Sequence, residues 1–221
     1  MYKNKKIAVV IPCYKVSKFI NKVISDLPNF VDNIYLIDDA CPEDSLNKII
    51  SKSKKIKKIF RRINGGVGAA VKDGYRYSLK DENHIIVRID GDGQMDLKLI
   101  KYFIDPIINK KAEFTKGNRF TNITFVSKMP VLRILGNIFF SIIGNLMIKN
   151  FKIFDFLNGY TCINHLALNK ILKKNLDNDF FFDTALIYQL SILKIKILDI
   201  PMRAKYENEK NNINVFKTGL S

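Results

Sequence analysis

Residues 84–94 read HIIVRIDGDGQ. The opening run, His84–Ile89, is short, apolar and rich in β-branched residues, which predicts a strand buried on both faces. Asp90 and Asp92 follow directly at its end. Carboxylates this close repel each other and lose solvation, so they require a compensating cation or a hydrogen-bonding ligand. Asp90, Asp92 and Gln94 alternate with glycines, which puts three oxygen-bearing side chains where one loop can aim them at a point. Hard divalent ions such as Mg²⁺ or Mn²⁺ take oxygen donors of this kind, and glycine lets a diphosphate approach the backbone closely. A polar turn without a metal is the competing reading. An EF-hand is a poor one, because the segment follows a strand and the twelfth residue from Asp90 is Lys101 rather than a bidentate Glu.

Working outward, the same pattern repeats. Ile7–Ile11 (IAVVI), Ile34–Ile37 (IYLI) and Ile56–Phe60 read as further buried strands. Between them, Phe19, Ile20, Val23, Ile24 and Leu27 recur at helical spacing before Pro28; Leu46, Ile49 and Ile50 do likewise. Val67–Leu79 predicts a helix, and Leu97–Ile104 another before Pro106. Alternation of this kind predicts an α/β fold with a mostly parallel central sheet and helices on both faces. Right-handed crossovers then bring the strand C-terminal ends to one edge, where ligands bind. A second acidic pair, Asp38-Asp39, stands at the end of IYLI. Asn64-Gly-Gly-Val-Gly68 opens the helix from Val67, and a glycine loop there can offer N–H groups to an anion. It matches neither a Walker motif nor GxGxxG, so helix entry through glycine is its ordinary reading.

The second half is less regular. Ala112–Lys116 reads as a strand leading into Gly117-Asn118-Arg119. The apolar segment Val131–Phe151 follows, then a turn at Asp155–Gly159, a strand Tyr160–Ile163, a helix Phe181–Leu193 and a strand Ile195–Ile200. Residues 1–205 form one expected domain and 206–221 a polar tail. Val131–Phe151 is interrupted by Arg133, Gly136, Asn137, Gly144, Asn145 and Lys149, so it falls short of the roughly 18–20 apolar residues that span a bilayer. It reads either as a core helix or as an amphipathic helix on a surface. The run Lys52–Arg62 has seven basic residues and no acidic one, and reads as a solvated helix end leading to an edge strand.

The chain has 221 residues, with 37 Lys and Arg against 21 Asp and Glu, a formal charge of +16. That excess suggests an anionic partner. The three cysteines (Cys13, Cys41, Cys162) form no CxxC, and the histidines are only His84 and His165. A disulfide scaffold, a thiolate zinc site and a histidine-dependent triad therefore have little to build on. No signal peptide is expected, since Pro12 interrupts the first apolar run.

The ordered set IPCYKVSKFI, VDNIYLIDDACPEDS, NGGVGAAVKDGY, VRIDGDGQMD, KGNRF, DFLNGYTCI, FFFDTALIYQL and LDIPMRAKY resembles the family 2 glycosyltransferases of the GT-A fold. It looks most like those of the dolichol-phosphate mannose synthase type, which act on polyprenyl phosphates. The resemblance implies an inverting, metal-dependent transfer of a sugar from a nucleotide-diphospho-sugar donor, UDP- or GDP-linked, to a polyprenyl phosphate or a glycan. It implies that Pro12 and Tyr14 shape the nucleotide pocket with Asn64 and Gly68, and that Asp39 and Asp38 hydrogen-bond the base. Asp90 would face the ribose or assist the metal. Asp92 and Gln94 would hold Mg²⁺ or Mn²⁺ on the diphosphate, with Asp92 counted as catalytic. Arg119 with Lys205 or Lys210 would meet phosphate oxygens. Asp183 would lie near the acceptor and serve as base for a hydroxyl acceptor; its alternative is a charge at a helix N-terminus. The expected location is cytoplasmic and peripheral, at the inner face of the cell membrane. Many relatives continue into membrane helices, so a chain stopping at Ser221 is expected to be a short or truncated form. The usual Asp-Asp-Gly-Ser is here Asp38-Asp39-Ala40-Cys41, and the tail reads YENEKNN.

Two other classes compete. A nucleotidyltransferase would need a basic glycine loop after the first strand, where Pro12-Cys13-Tyr14 stands instead. A nucleic-acid-binding module would interleave aromatic and basic residues on one face, whereas the aromatics here sit mainly in apolar runs. No nucleic-acid partner is expected.

Overall fold

In a computed structural model, residues 1–126, 129, 131–148, 153–179 and 181–203 are described. Seven strands form one sheet: β1 (Ile7–Cys13), β2 (Asn33–Asp38), β3 (Ile56–Phe60), β4 (Ile85–Arg88), β5 (Phe114–Asn118), β6 (Thr161–Asn164) and β7 (Ile197–Pro201). Their order is β3-β2-β1-β4-β6-β5-β7. β6 runs antiparallel to β4 and β5, and the remaining pairs are parallel. The helices are α1 (Ile20–Ser25), α2 (Val67–Lys80), α3 (Ile100–Ile108), α4 (Ile123–Val126), α5 (Val131–Ile148), α6 (His165–Ile171) and α7 (Phe182–Ile192).

The alternation along β1 shows why the sheet is covered twice. Ile7, Val9, Ile11 and Cys13 face the layer that holds Ile20 and Val23 of α1 and Phe103 and Ile104 of α3. Ala8 and Val10 face the opposite layer, with Val71 and Tyr75 of α2, Leu168 of α6 and Leu186 of α7. Successive side chains of a strand point to opposite faces, so a strand buried on both must be apolar throughout.

Three expectations need correction. Leu46–Ile50 is a set of turns: Asn47 N–H bonds Asp44 O and Ile49 N–H bonds Leu46 O, with no helical continuation. Leu46 is buried while Ile50 is 81% exposed, and the following Ser-Lys run offers no apolar stripe to extend a helix. α3 runs through Pro106 instead of ending before it. The carbonyl that Pro106 leaves without a donor belongs to the exposed Tyr102, and the gain comes from burying Phe103, Ile104 and Ile107. α6 lies beyond β6 where no helix was expected; Asn164 caps it, its side chain accepting from Ala167 N–H at 2.7 Å. The expected tail, 206–221, lies outside the described residues. Among the described residues no helix is long and apolar enough to cross a membrane.

Candidate functional site

The C-terminal ends of β1, β2 and β4 open onto a cleft of about 410 Å³. Pro12 and Tyr14, from the end of β1, line it together with Asp39 after β2, Asn64 and Gly66 before α2, and Asp90 and Asp92 after β4. The parallel register explains the convergence. Cys13 stands opposite Asp38, and Val10 opposite Arg88, so the residues just beyond each strand emerge at the same edge. Asp179, which no sequence pattern singles out, also lines this cleft.

Each acidic pair comes with an arginine. Asp39 is 3% exposed, and its carboxylate accepts from Gly65 N–H at 3.0 Å and Gly66 N–H at 2.9 Å. Arg61 Nε lies 3.2 Å from it and Arg61 Nη1 3.3 Å from Asp73. Asp39 therefore organises the glycine loop that sits beside the cleft. Arg61 belongs to the basic run read as solvated. The signal that distinguishes it is register: Asp38 pairs with Phe60, so the next residues, Asp39 and Arg61, must be neighbours. Asp38 turns away, its Oδ1 accepting from Cys41 N–H at 2.7 Å.

The second arginine, Arg88, ends β4 and is 2% exposed. Its Nη1 binds the Asp183 carboxylate, its Nη2 lies 3.5 Å from Asp90, and its guanidinium sits over the Phe182 ring at 5.5 Å. Burial opposes the guanidinium's charge, but Asp183 and Asp90 more than offset this and raise its pKa. Burial, helped by the charge on Asp90, pushes the Asp183 carboxyl above the usual carboxylate range despite Arg88. Asp183 stands in the first turn of α7 and behind Asp90, with Arg88 between them. A Cβ on Gly159 would lie 2.8 Å from Asp90 Oδ2 and 3.0 Å from Arg88 Nη2, so the pair depends on glycine there. Arg88 was visible in the sequence as the one charge inside an apolar strand.

The other expected residues fall elsewhere. Gly68 packs against α7: a Cβ would come within 2.7 Å of Phe182 Cβ and 2.8 Å of Asp177 O. Gln94 N–H bonds Asp92 Oδ1 at 3.0 Å, which orders the loop, while its side chain is half-buried next to the cleft's Asp92. Arg119 is held by Asp155, Nε at 2.7 Å and Nη2 at 2.5 Å, so two of its donors are committed to a buried carboxylate rather than presented to a phosphate. Lys205 and Lys210 lie outside the described residues.

Two predictions arise here. Burial raises the Asp155 carboxyl, but Arg119 and Lys116 outweigh it and hold the pKa below the usual range. An unfolded aspartate titrates near about 3.9. The stabilisation is thus present above that pH and is lost as pH falls through the lower, folded value. Asp155→Asn should be less stable at neutral pH and lose less Tm on acidification from about pH 5 to pH 2 than the parent does; thermal melts across that range check it. Ala40, where the resemblance has glycine, adopts φ 51°. That left-handed conformation costs an L-residue about 1–2 kcal/mol, against about 0.5–1 kcal/mol for the extra chain entropy of glycine. Ala40→Gly should raise Tm by about 2 °C.

As to metal, Asp90 and Asp92 place two carboxylates on one cleft, with oxygen donors suited to Mg²⁺ or Mn²⁺. Among the described residues no three His, Cys, Asp or Glu side chains gather into a metal-holding group. The chemistry of the two carboxylates fits a hard divalent cation.

Comparison with known proteins agrees with this architecture. A sequence model described as glycosyl transferase family 2 matches residues 8–176. A Methanococcus voltae protein named UDP-N-acetylglucosamine–dolichyl-phosphate N-acetylglucosaminyltransferase is 29% identical over 190 residues, 78% of this chain and 74% of its own length. An uncharacterized Methanocaldococcus jannaschii protein is 24% identical over 204 residues, 91% of this chain and 82% of its own. Among solved structures, glucosyl-3-phosphoglycerate synthase from Mycobacterium tuberculosis, in complex with Mn²⁺ and UDP-glucose, superposes with a TM-score of 0.72. It is 14% identical and covers 98% of this chain and 74% of that one. At that identity the likeness speaks for the fold.

Proposed function

Because the chain belongs to glycosyl transferase family 2, we propose that it moves a sugar from a nucleotide-diphospho-sugar to a polyprenyl phosphate, with inversion and with a divalent cation, at a membrane surface on the cytoplasmic side. The observation that carries this reading is the shared cleft: Asp39 and Asp92, on the loops after two different strands, line the same cavity. The Methanococcus relative, named for UDP-N-acetylglucosamine and dolichyl phosphate, favours a UDP-linked donor and a lipid phosphate acceptor over GDP and a glycan.

On this reading Pro12 and Tyr14 flank the nucleotide, and Asp39 holds the base side of the pocket while keeping the Asn64–Gly66 loop in place. Asp90 and Asp92 hold Mg²⁺ or Mn²⁺, which supplies charge neutralisation on the leaving diphosphate when bound. Arg88 keeps Asp90 anchored from behind. The sugar C1 is attacked in line from the face opposite the diphosphate, which inverts it. A polyprenyl phosphate oxygen is already anionic near neutral pH, so no strong base is required. A sugar hydroxyl acceptor would need a base, and Asp183, the expected one, stands behind Asp90 in the grip of Arg88 and does not line the cleft, which favours the phosphate acceptor.

Thermal-shift measurements with UDP, GDP and CDP, each with and without Mn²⁺, test the donor. A nucleotide at about 100 times its Kd should add about 2.7 kcal/mol, or about 5–10 °C, for UDP with Mn²⁺. A flat response to all three would overturn the donor reading. Transfer of labelled sugar to undecaprenyl phosphate, against oligosaccharide acceptors, separates the two acceptors.

A further inference from the structure

α5 is inside out. Asn137, Ser141 and Asn145, four residues apart along one side, are buried at 4%, 5% and 2% exposure. They sit against the 153–155 turn: Asn145 donates to Ile153 O at 2.8 Å, and Ser141 Oγ accepts from Asp155 N–H at 3.2 Å. The opposite side carries Val131, Leu135, Phe139, Ile142, Ile143 and Leu146, all exposed, with Ile138 beside them. At 100° per residue these seven cover an arc of about 140° along a helix about 27 Å long. A helix facing water on that side would carry the reverse pattern. Large contiguous apolar patches of this kind mark an interaction surface.

Charge decides between occupants. From Phe120 to Phe154 the sequence holds four basic residues, Lys128, Arg133, Lys149 and Lys152, and no acidic one. Lys128 precedes the helix, and Lys149 and Lys152 follow it. A second copy of this segment carries the same four positive charges, so pairing two copies would oppose like charges. An anionic bilayer complements both the segment's positive charge and the apolar arc. We propose that the outward face of α5 is a membrane-docking surface, lying in the headgroup region of a bilayer that contains anionic lipid. This deepens the acceptor reading above, since it names the surface on which a polyprenyl phosphate would be met, but its test needs neither donor nor acceptor.

The chain has no tryptophan, so Phe139→Trp, at a site 60% exposed, places a single fluorophore on the face. Vesicles of phosphatidylcholine with and without phosphatidylglycerol serve as the probe. Emission should shift to the blue with the anionic vesicles and be quenched by a quencher carried in the acyl chains. Flotation of the tryptophan-free chain should fall at least tenfold in the triple variant Leu135→Gln, Phe139→Gln, Ile142→Gln, whose positions are all more than half exposed and whose melting should match the parent. Unchanged emission with anionic vesicles, or equal flotation of parent and triple variant, would overturn the proposal. So would a blue shift that rises with protein concentration in the absence of lipid, accompanied by a doubling of mass, since that assigns the face to a second copy. If vesicles bind while labelled sugar goes only to oligosaccharides, the acceptor reading fails and the docking surface stands; transfer to detergent-dispersed polyprenyl phosphate without vesicle binding gives the converse.

Discussion

Replacing Arg88 with methionine is expected to destabilise the protein by about 3–5 kcal/mol, a fall in Tm of about 10 °C. The guanidinium is almost fully buried and lies between the carboxylates of Asp183 and Asp90. Methionine fills much of the same volume, so little of the loss is cavity. What remains is an Asp183 carboxyl in a dry site with no cation, and its proton affinity must rise further above the already raised value. The double variant Arg88→Met, Asp183→Asn removes that stranded charge and should recover more than half of the lost Tm. Parallel thermal melts of parent, single and double variants check this. A single variant melting within about 2 °C of the parent would contradict the electrostatic account.

The second large effect belongs to Asp92. Asp92→Ala should abolish the Mn²⁺-dependent part of the nucleotide stabilisation and lower turnover on the order of 10²–10³-fold. Its fold should survive, because Asp92 is only half-buried in a loop, and the bond its Oδ1 accepts from Gln94 N–H is worth about 1 kcal/mol. The informative comparison is therefore the shift produced by UDP with Mn²⁺ against UDP alone, measured in both proteins. Retention of the full Mn²⁺ increment in the variant would remove Asp92 from the cation site, and Asp90, tied to Arg88, would be the remaining candidate.

These two residues show how legible the site was. Asp92 could be picked out from composition and position alone: a carboxylate one glycine beyond another, at the end of an apolar strand, in a basic chain. Arg88 stood in the same eleven residues, yet its partner Asp183 lies 95 positions further on. No local pattern joins them. The same holds for Asp39 and Arg61, which meet only because β2 and β3 pair in parallel with Asp38 against Phe60. The expectation that Arg119 would meet phosphate came from the resemblance; its bond to Asp155, 36 residues away, is likewise joined by no local pattern.

The alternation of strand and helix, the sheet buried on both faces and the edge at which the acidic loops emerge can be read from the amino-acid order alone. Those follow from periodicity and chain connectivity, which are local properties or nearly so. Which cation compensates which carboxylate, and which side of α5 faces inward, depend on contacts between segments far apart in the chain. The helix pattern 131–148 is amphipathic either way round. Its polar side went in because the 153–155 turn presents the Ile153 carbonyl and the Asp155 N–H, and an apolar face set against them would have left both unsatisfied.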